Sequence, residues 1–347
     1  MAKRSKTVVG LDIDPSGITA VQASVNGHVR VERAALAPLE AGILREGEIV
    51  DVDGLAQALR TLYAENRGLG KRVRIGVASQ KIVVRVVELP PISDPAELET
   101  AIRFQAQDEL PMALDSAVLD HQTLGIVDHG SGPRQRVLLV AARRESVDRV
   151  LAAVHGAGLR PEGIDLSAFA MVRALHRAGP EGEQVLYLGI GGLINLAVAQ
   201  STDCLFTRAT GGGVESLAIE LAERRALTLE HARGWLEHVG LDAATEAIDG
   251  DAEIIADARE VLREGARRIA AEVRNTLDFH LAQGPVATAI TRAVLTGPAA
   301  AIPGFVTTMA AELGMPVEEG LVEGAPGIAP GRLAVAAGLS IDHAPRS

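Results

Sequence analysis

The chain has 347 residues and a formal net charge of −11, with 47% hydrophobic, 23% charged and only 2% aromatic residues. Its length exceeds what one hydrophobic core normally supports, so we expect two or more lobes. The acidic balance and the scarcity of aromatic side chains argue against a nucleic-acid partner, which needs a basic face or stacking platforms. The single cysteine, Cys204, excludes a disulfide within the chain and a multi-cysteine metal site.

The chain shows no pattern typical of export or of membrane insertion. Lys3, Arg4 and Lys6 are followed by Asp12 and Asp14, which interrupt the apolar region that a signal peptide would need. No apolar run reaches the roughly 18 residues required to cross a bilayer. We therefore expect a cytoplasmic protein.

The N-terminal part of the chain has the pattern of a strand meander followed by a helix and a further strand. Asn26-Gly27 is a strong two-residue hairpin turn. The predicted elements are strands at Thr7–Asp12, Ile18–Val25 and Val29–Leu36, a helix at about Val52–Asn66, and a strand at Arg72–Ala78.

Residues 83–162 have the pattern of a compact inserted module. Pro90-Pro91 ends its first strand, and Asp94 caps a helix that has Pro95 at its first position. The remaining predicted elements are strands at Val118–Val127 and Arg136–Ala142 and a helix at Glu145–Ala157, with a strand at Gly163–Leu166 and a helix at Ser167–Arg177 leading out of it.

The second half repeats the meander and adds more helices. The segment Asp251–Gln283 has apolar residues every three or four positions, which predicts one long amphipathic helix or a helix with a kink near Gly265. The other predicted elements are strands at Gln184–Ile190, Leu193–Gln200, Cys204–Ala209 and Ala293–Thr296, and helices from Gly213 to about Arg225, after Thr228, at Phe305–Leu313 and at Leu333–Ser340.

Three apolar strands run into short turns that contain glycine, and they are spread over the whole chain. The turns contain Gly17, Gly191-Gly192 and Gly297. Because such turns let backbone N–H groups approach a phosphate without obstruction, they predict two related lobes that close on a nucleotide.

Seven segments together resemble the PilM family, the actin-like proteins of type IV pilus assembly and relatives of the cell-division protein FtsA. The resemblance covers nearly the whole chain, and the number and order of the segments make it specific. The similar segments are Val9–Ile13, Glu46–Asp51, Leu89-Pro90 with Glu97–Ala106, Val137–Arg143 with Ala157–Pro161, and Glu272–Phe279.

The resemblance implies an α/β protein with an actin-like two-lobe fold, made of ribonuclease H-like repeats, with an FtsA-type subdomain inserted in the first lobe. The expected boundaries are residues 1–82 and 163–183 for the first lobe, 83–162 for the inserted subdomain, 184–215 and 288–347 for the second lobe, and 216–287 for its helical subdomain.

The resemblance also implies an ATP site between the lobes, with Mg²⁺ held through water by Asp12. Two groups of residues have a second interpretation without nucleotide. Glu272 and Arg274 would then be an exposed pair, and Gly211–Gly213 would be a helix entry that needs unusual backbone angles. The implied nucleotide contacts are Asp12, Ser16, Gly17, Gly191, Gly192, Gly212, Gly213, Glu272, Arg274 and Gly297.

Several positions depart from the family pattern in ways that predict weak or lost ATP and Mg²⁺ binding. Asp14 stands where the family has glycine, which places a carboxylate near the phosphates. Gly189 replaces a carboxylate, Leu193 replaces a small hydroxyl residue, Thr19 stands where lysine is common, and Pro298 removes a backbone donor. In an alternative interpretation, Asp14 supplies the missing carboxylate.

The leading hypothesis is a PilM-like cytoplasmic scaffold with a degenerate nucleotide site, on the inner face of the cytoplasmic membrane. The resemblance implies that it binds the cytoplasmic N-terminal tail of a PilN-like inner-membrane protein, contacts other pilus platform proteins, and forms a homo-oligomeric ring in one version of the hypothesis. Membrane association would be through partners. The alternatives are an active actin-like ATPase coupled to pilus assembly and, with less support, a sugar or acetate kinase of the same superfamily.

Overall fold

The computed structural model describes residues 8–128, 130, 132–282, 289–324 and 326–345. The strands are β1 (Val9–Asp14), β2 (Gly17–Asn26), β3 (His28–Ala37), β4 (Leu44–Arg45), β5 (Glu48–Ile49), β6 (Arg72–Val77), β7 (Val83–Leu89), β8 (Ala117–Asp128), β9 (Pro133–Arg143), β10 (Arg160–Leu166), β11 (Gln184–Ile190), β12 (Ile194–Gln200), β13 (Asp203–Thr210), β14 (Ile290–Thr296) and β15 (Val317–Glu319).

Helices connect and cover these strands. They are α1 (Val52–Glu65), α2 (Pro95–Glu109), α3 (Arg144–Gly156), α4 (Ser167–Leu175), α5 (Val214–Arg225), α6 (Leu229–Val239), α7 (Ala252–Ala282), α8 (Phe305–Leu313) and α9 (Ala334–Ser340), with short 3₁₀ turns at Leu114–Ser116, Thr245–Ala247, Pro298–Ala301 and Pro330–Leu333.

The two large sheets share one topology. The first has the strand order β10-β6-β1-β2-β3, and the second has β13-β12-β11-β14-β15. In each, three consecutive strands form an antiparallel meander. One later strand pairs in parallel with the first strand of the meander, and another pairs in parallel with that later strand. The ribonuclease H-like repeat predicted from the sequence is therefore present in both lobes.

Helices fill three layers around the two sheets. The outer layer of the first sheet holds α1 and α3, and the outer layer of the second holds α5 to α8. Helices α4 and α9 pack against each other in a core that includes residues of both sheets. This position explains why α4 is buried on most of its circumference, since a helix between two sheets has no solvent face.

The inserted module has a core of its own. Its sheet has the order β7-β9-β8 and is covered by α2. The next helix, α3, instead packs in the core of the first lobe through Val150, Ala153 and Val154. Periodicity in the sequence shows that a helix has an apolar face but not which sheet that face packs against.

The long helix of the second lobe is continuous. Helix α7 runs from Ala252 to Ala282, so the interpretation with a single long helix is confirmed within the described residues; the predicted last residue, Gln283, lies outside them. The short strands β4, β5 and β15 were not predicted, because two or three residues carry no readable alternation.

Candidate functional site: the cleft between the lobes

A cleft lies between the lobes where the three glycine-bearing turns meet. It encloses about 210 Å³, less than the roughly 300–1,000 Å³ of typical small-molecule sites. Its walls include Asp12, Asp14, Ser16, Gly17, Thr19, Gly189, Gly191, Leu193, Asn195, Arg233, Gly297, Pro298 and Arg332.

The carboxylate of Asp14 joins the first two turns. Within its own turn it accepts hydrogen bonds from Ser16, from the backbone N–H at 2.8 Å and from the hydroxyl at 2.5 Å. Across the cleft, its Oδ1 accepts from the backbone N–H of Gly192 at 2.6 Å and its Oδ2 from that of Leu193 at 3.2 Å. One carboxylate thus holds donors from both lobes.

Glycine is required at the second turn because the first turn approaches it so closely. A Cβ atom at Gly192 would lie 2.6 Å from Cβ of Pro15 and 2.8 Å from Oδ1 of Asp14. At Gly191 it would lie 3.0 Å from the same oxygen. The contact between the lobes therefore explains both glycines in the structure as it stands.

Asp12 lies beside Asp14 at the base of the cleft. Burial and, to a smaller extent, the charge of Asp14 raise the pKa of its carboxyl to about 7, although a hydrogen bond from Ser167 partly opposes the rise. A carboxyl with this pKa is partly protonated near neutral pH, which reduces its ability to attract a cation.

Two arginines at the second-lobe side of the cleft were not predicted. Arg233 on α6 forms a two-pronged ion pair with the buried Glu215 on α5, with one contact at 2.8 Å. Arg332 pairs with Glu237 at 2.8 Å. Each pair joins separate elements, so no local spacing in the sequence could indicate it.

The predicted nucleotide contacts fall into two groups in the structure. Asp12, Ser16, Gly17, Gly191, Gly192 and Gly297 lie around the cleft.

Gly212, Gly213, Glu272 and Arg274 are placed differently. Gly213 precedes α5 and packs against the carbonyl of Gly191, behind the turn, and Gly212 is the residue before it, with φ +84°. Glu272 faces Arg208 at 3.6 Å, and Arg274 donates to the carbonyl of Glu312 on α8, so neither side chain borders the cleft.

Most backbone donors around the cleft already have an acceptor within the protein. The backbone N–H groups of Ser16, Gly192 and Leu193 are taken by Asp14. Those of Gly191 and Gly297 donate to the carbonyls of Leu193 and Gly331. Among the described residues, no three His, Cys, Asp or Glu side chains are grouped to hold a metal ion.

A second concave surface lies between the first lobe and the inserted module. We call it the 1A–1C groove, where 1A stands for the first lobe and 1C for the inserted module; it has a volume of about 810 Å³ and is more open than the cleft. Its walls are Val52 of α1, Pro111, Met112, Ala113 and Ser116 of the module, and Arg143, Arg144, Glu145, Asp148, Arg149 and Ala152 on and before α3. The surface is mostly apolar on the module side. On the α3 side it carries three arginines beside Glu145 and Asp148, and Glu145 accepts a hydrogen bond from Arg149 at 2.7 Å.

The duplicated sheets and the cleft between them define a two-lobed protein of the actin-like class. A family model described as "Type IV pilus assembly protein PilM" matches residues 10–323. The chain therefore belongs to the PilM family of type IV pilus assembly proteins.

Solved structures agree with this assignment. A "PilM-PilN type IV pilus biogenesis complex" matches with a TM-score of 0.76 and 25% identity, covering 96% of this chain and 97% of that one. MreB5 of Spiroplasma citri bound to ADP matches with a TM-score of 0.56, 11% identity, and coverage of 97% and 95%. The ethanolamine utilization protein EutJ from Carboxydothermus hydrogenoformans matches with a TM-score of 0.54 and 16% identity, covering 98% of this chain and 91% of that one. The last two show likeness of fold alone.

A helix that crosses a bilayer must be both long enough and apolar enough to span its hydrocarbon core. Within the described ranges, no helix meets both requirements.

Proposed function

We propose that this protein is a cytoplasmic scaffold of a type IV pilus assembly platform that binds the N-terminal tail of a PilN-like inner-membrane protein. Membership of the PilM family supports the pilus role, and the similar solved complex contains PilN. The observation that carries the proposal is the 1A–1C groove, which is open, concave and distinct from the cleft.

The chemistry of the 1A–1C groove suits a short peptide with apolar and acidic or carbonyl groups. Met112 and Val52 offer apolar contact area. Arg144 donates to the carbonyl of Ala117 at 3.1 Å and Arg149 to that of Ile49 at 3.1 Å, so both guanidinium groups are held in position at the wall. Positioned arginines favour binding because less side-chain freedom is lost when the peptide docks.

We also propose that the nucleotide site is degenerate and that the scaffold works without ATP turnover. The substitutions at Asp14, Gly189 and Pro298 support this, as do the internal partners of the backbone donors in the cleft. In this scheme the protein is held at the inner face of the membrane by its partners and contacts other platform proteins, with a ring of copies as one possible assembly.

Titration of the purified protein with a peptide of the cognate PilN-like cytoplasmic tail tests the peptide site. We expect Met112→Asp to weaken binding by at least about tenfold, because a charge would be buried against the peptide without a partner. Phe104→Asp is the matched control. Phe104 is 70% exposed on the same module, outside the 1A–1C groove, so this variant should bind as the wild type does.

The result that would contradict the peptide site is tail binding that survives Met112→Asp and is lost in Phe104→Asp. That result would place the partner on α2. No tail binding by the wild type would contradict the scaffold proposal itself.

A further inference from the structure

We propose that the Asp14 carboxylate is a built-in anion that takes the place of a nucleotide phosphate and holds the two lobes together without nucleotide. This proposal rests on the proposed loss of nucleotide chemistry but not on the identity of the peptide partner.

The hydrogen-bond partners of Asp14 are those that a phosphate would use. Turns that end a buried strand present backbone N–H groups to anions, and the donors from Gly192 and Leu193 belong to such a turn. These donors lie 178 and 179 residues from Asp14 along the chain. Hydrogen bonds from N–H groups to a carboxylate are stronger than those to a neutral acceptor.

An ordinary turn role accounts for only half of these contacts. Aspartate commonly accepts from the backbone N–H two residues ahead, as Asp14 does from Ser16. Asp128 provides an internal comparison: it accepts from Gly130 at 2.8 Å and from Gly132, both in its own hairpin. Asp14 makes the same local contact and, in addition, the two contacts to the other lobe.

The packing around Asp14 is an independent observation that points the same way. Pro15 and Asp14 approach the second turn so closely that any Cβ at Gly192 would be under 3 Å from both. The turn is thus shaped around the carboxylate. A phosphate group could enter only after Asp14 had left.

Backbone amide hydrogen exchange in nucleotide-free protein tests the proposal, with no tail peptide present. We expect Asp14→Ala to speed exchange at the Gly192 and Leu193 amides by about tenfold or more, because both lose their charged acceptor. Asp14→Asn keeps one carbonyl oxygen but no charge, so its effect should be smaller. Asp128→Ala is the control and should change exchange only in its own hairpin.

A phosphate probe gives the second measurement. Magnesium-free tripolyphosphate should slow exchange of the same amides in Asp14→Ala and leave the wild type unchanged, since only the variant has a vacant anion position. Exchange in both Asp14 variants within about twofold of the wild type would overturn the proposal. Should Asp14→Ala fail to fold, Asp14→Asn decides alone. Tail binding is measured separately, so the two proposals can fail independently.

Discussion

At the scale of single residues, Asp12 has a carboxyl group whose surroundings oppose its charge. Burial, together with the charge of Asp14, raises its pKa from 3.8 to about 7. The folded protein therefore binds this proton more tightly than the unfolded chain does. This tighter proton binding stabilises the folded protein. The stabilisation is fully present below about pH 4 and is lost as the pH rises through about 7, which lowers the free energy of unfolding by on the order of 2–4 kcal/mol.

Chemical denaturation of the wild type and of Asp12→Asn at several pH values measures this contribution. The free energy of unfolding of the wild type should fall relative to that of Asp12→Asn between about pH 4 and pH 8, because the amide does not titrate. Asp115→Asn, which changes an exposed aspartate, is the control. Parallel pH profiles for wild type and Asp12→Asn would show that Asp12 ionises freely in the fold.

The sequence located the residues of the cleft better than it explained them. Asp12, Ser16 and the turn glycines were found because a strand that ends in small residues is a local pattern. Asp14 was interpreted as a charge that repels phosphate or as a substitute metal ligand, whereas the structure shows it bound to Gly192 and Leu193. That outcome depends on how the lobes meet, which no local pattern encodes.

At the scale of elements, most helices and strands follow from the sequence. The helix Phe305–Leu313 and the strand Gln184–Ile190 have the predicted bounds, and the first strand of the module ends at Leu89, directly before Pro90, as predicted. Other strands extend further, as β9 does by starting at Pro133, because pairing with a neighbour adds residues that alternation alone does not mark. The sheet on which α3 packs could not be predicted, because periodicity shows an apolar helix face but not the surface that it contacts.

Gly265 on α7 is where two helices of the second lobe come into close contact. A Cβ there would lie 2.4 Å from two methyl carbons of the buried Leu217 on α5. We expect Gly265→Ala to destabilise the protein by about 1–2 kcal/mol, since the clash outweighs the gain in helix propensity. The measurement is the free energy of unfolding in denaturant.

Gly234 on α6 is a matched control within the same lobe. It is exposed and has no atom within 4 Å of the position its Cβ would take. Gly234→Ala should therefore stabilise the protein by about 0.5–1 kcal/mol, the ordinary difference in helix propensity. Effects of the same sign in the two variants would contradict a close α5–α7 contact.

At the scale of the whole molecule, the two lobes are joined by a continuous core as well as by the Asp14 contact. Helix α9 follows the second-lobe strands in the chain yet packs on α4 and on β1 and β2 of the first sheet. The guanidinium of Arg74 in the first sheet donates to the carbonyls of Leu339 and Ile341 at the end of α9. This packing favours a molecule that stays closed without a ligand.

Thermal unfolding with and without Mg-ATP tests this closed state in the intact protein. A ligand present at about 1,000 times its Kd adds roughly 4 kcal/mol to the free energy of unfolding and raises the Tm by several degrees. We expect millimolar Mg-ATP to leave the Tm where Mg²⁺ alone leaves it. A rise of several degrees with Mg-ATP would favour the active ATPase.

By itself, the sequence predicted the repeated meander, the inserted module and the three glycine turns, because periodicity, caps and turn residues act over a few positions. The family was indicated separately, by the resemblance of several segments to it. Only the tertiary structure decided that Asp14 accepts hydrogen bonds from the opposite lobe, that Arg233 and Arg332 border the cleft, and that Glu272 and Arg274 do not. These contacts join residues far apart in the chain, and they form only when the two sheets pack around α4 and α9.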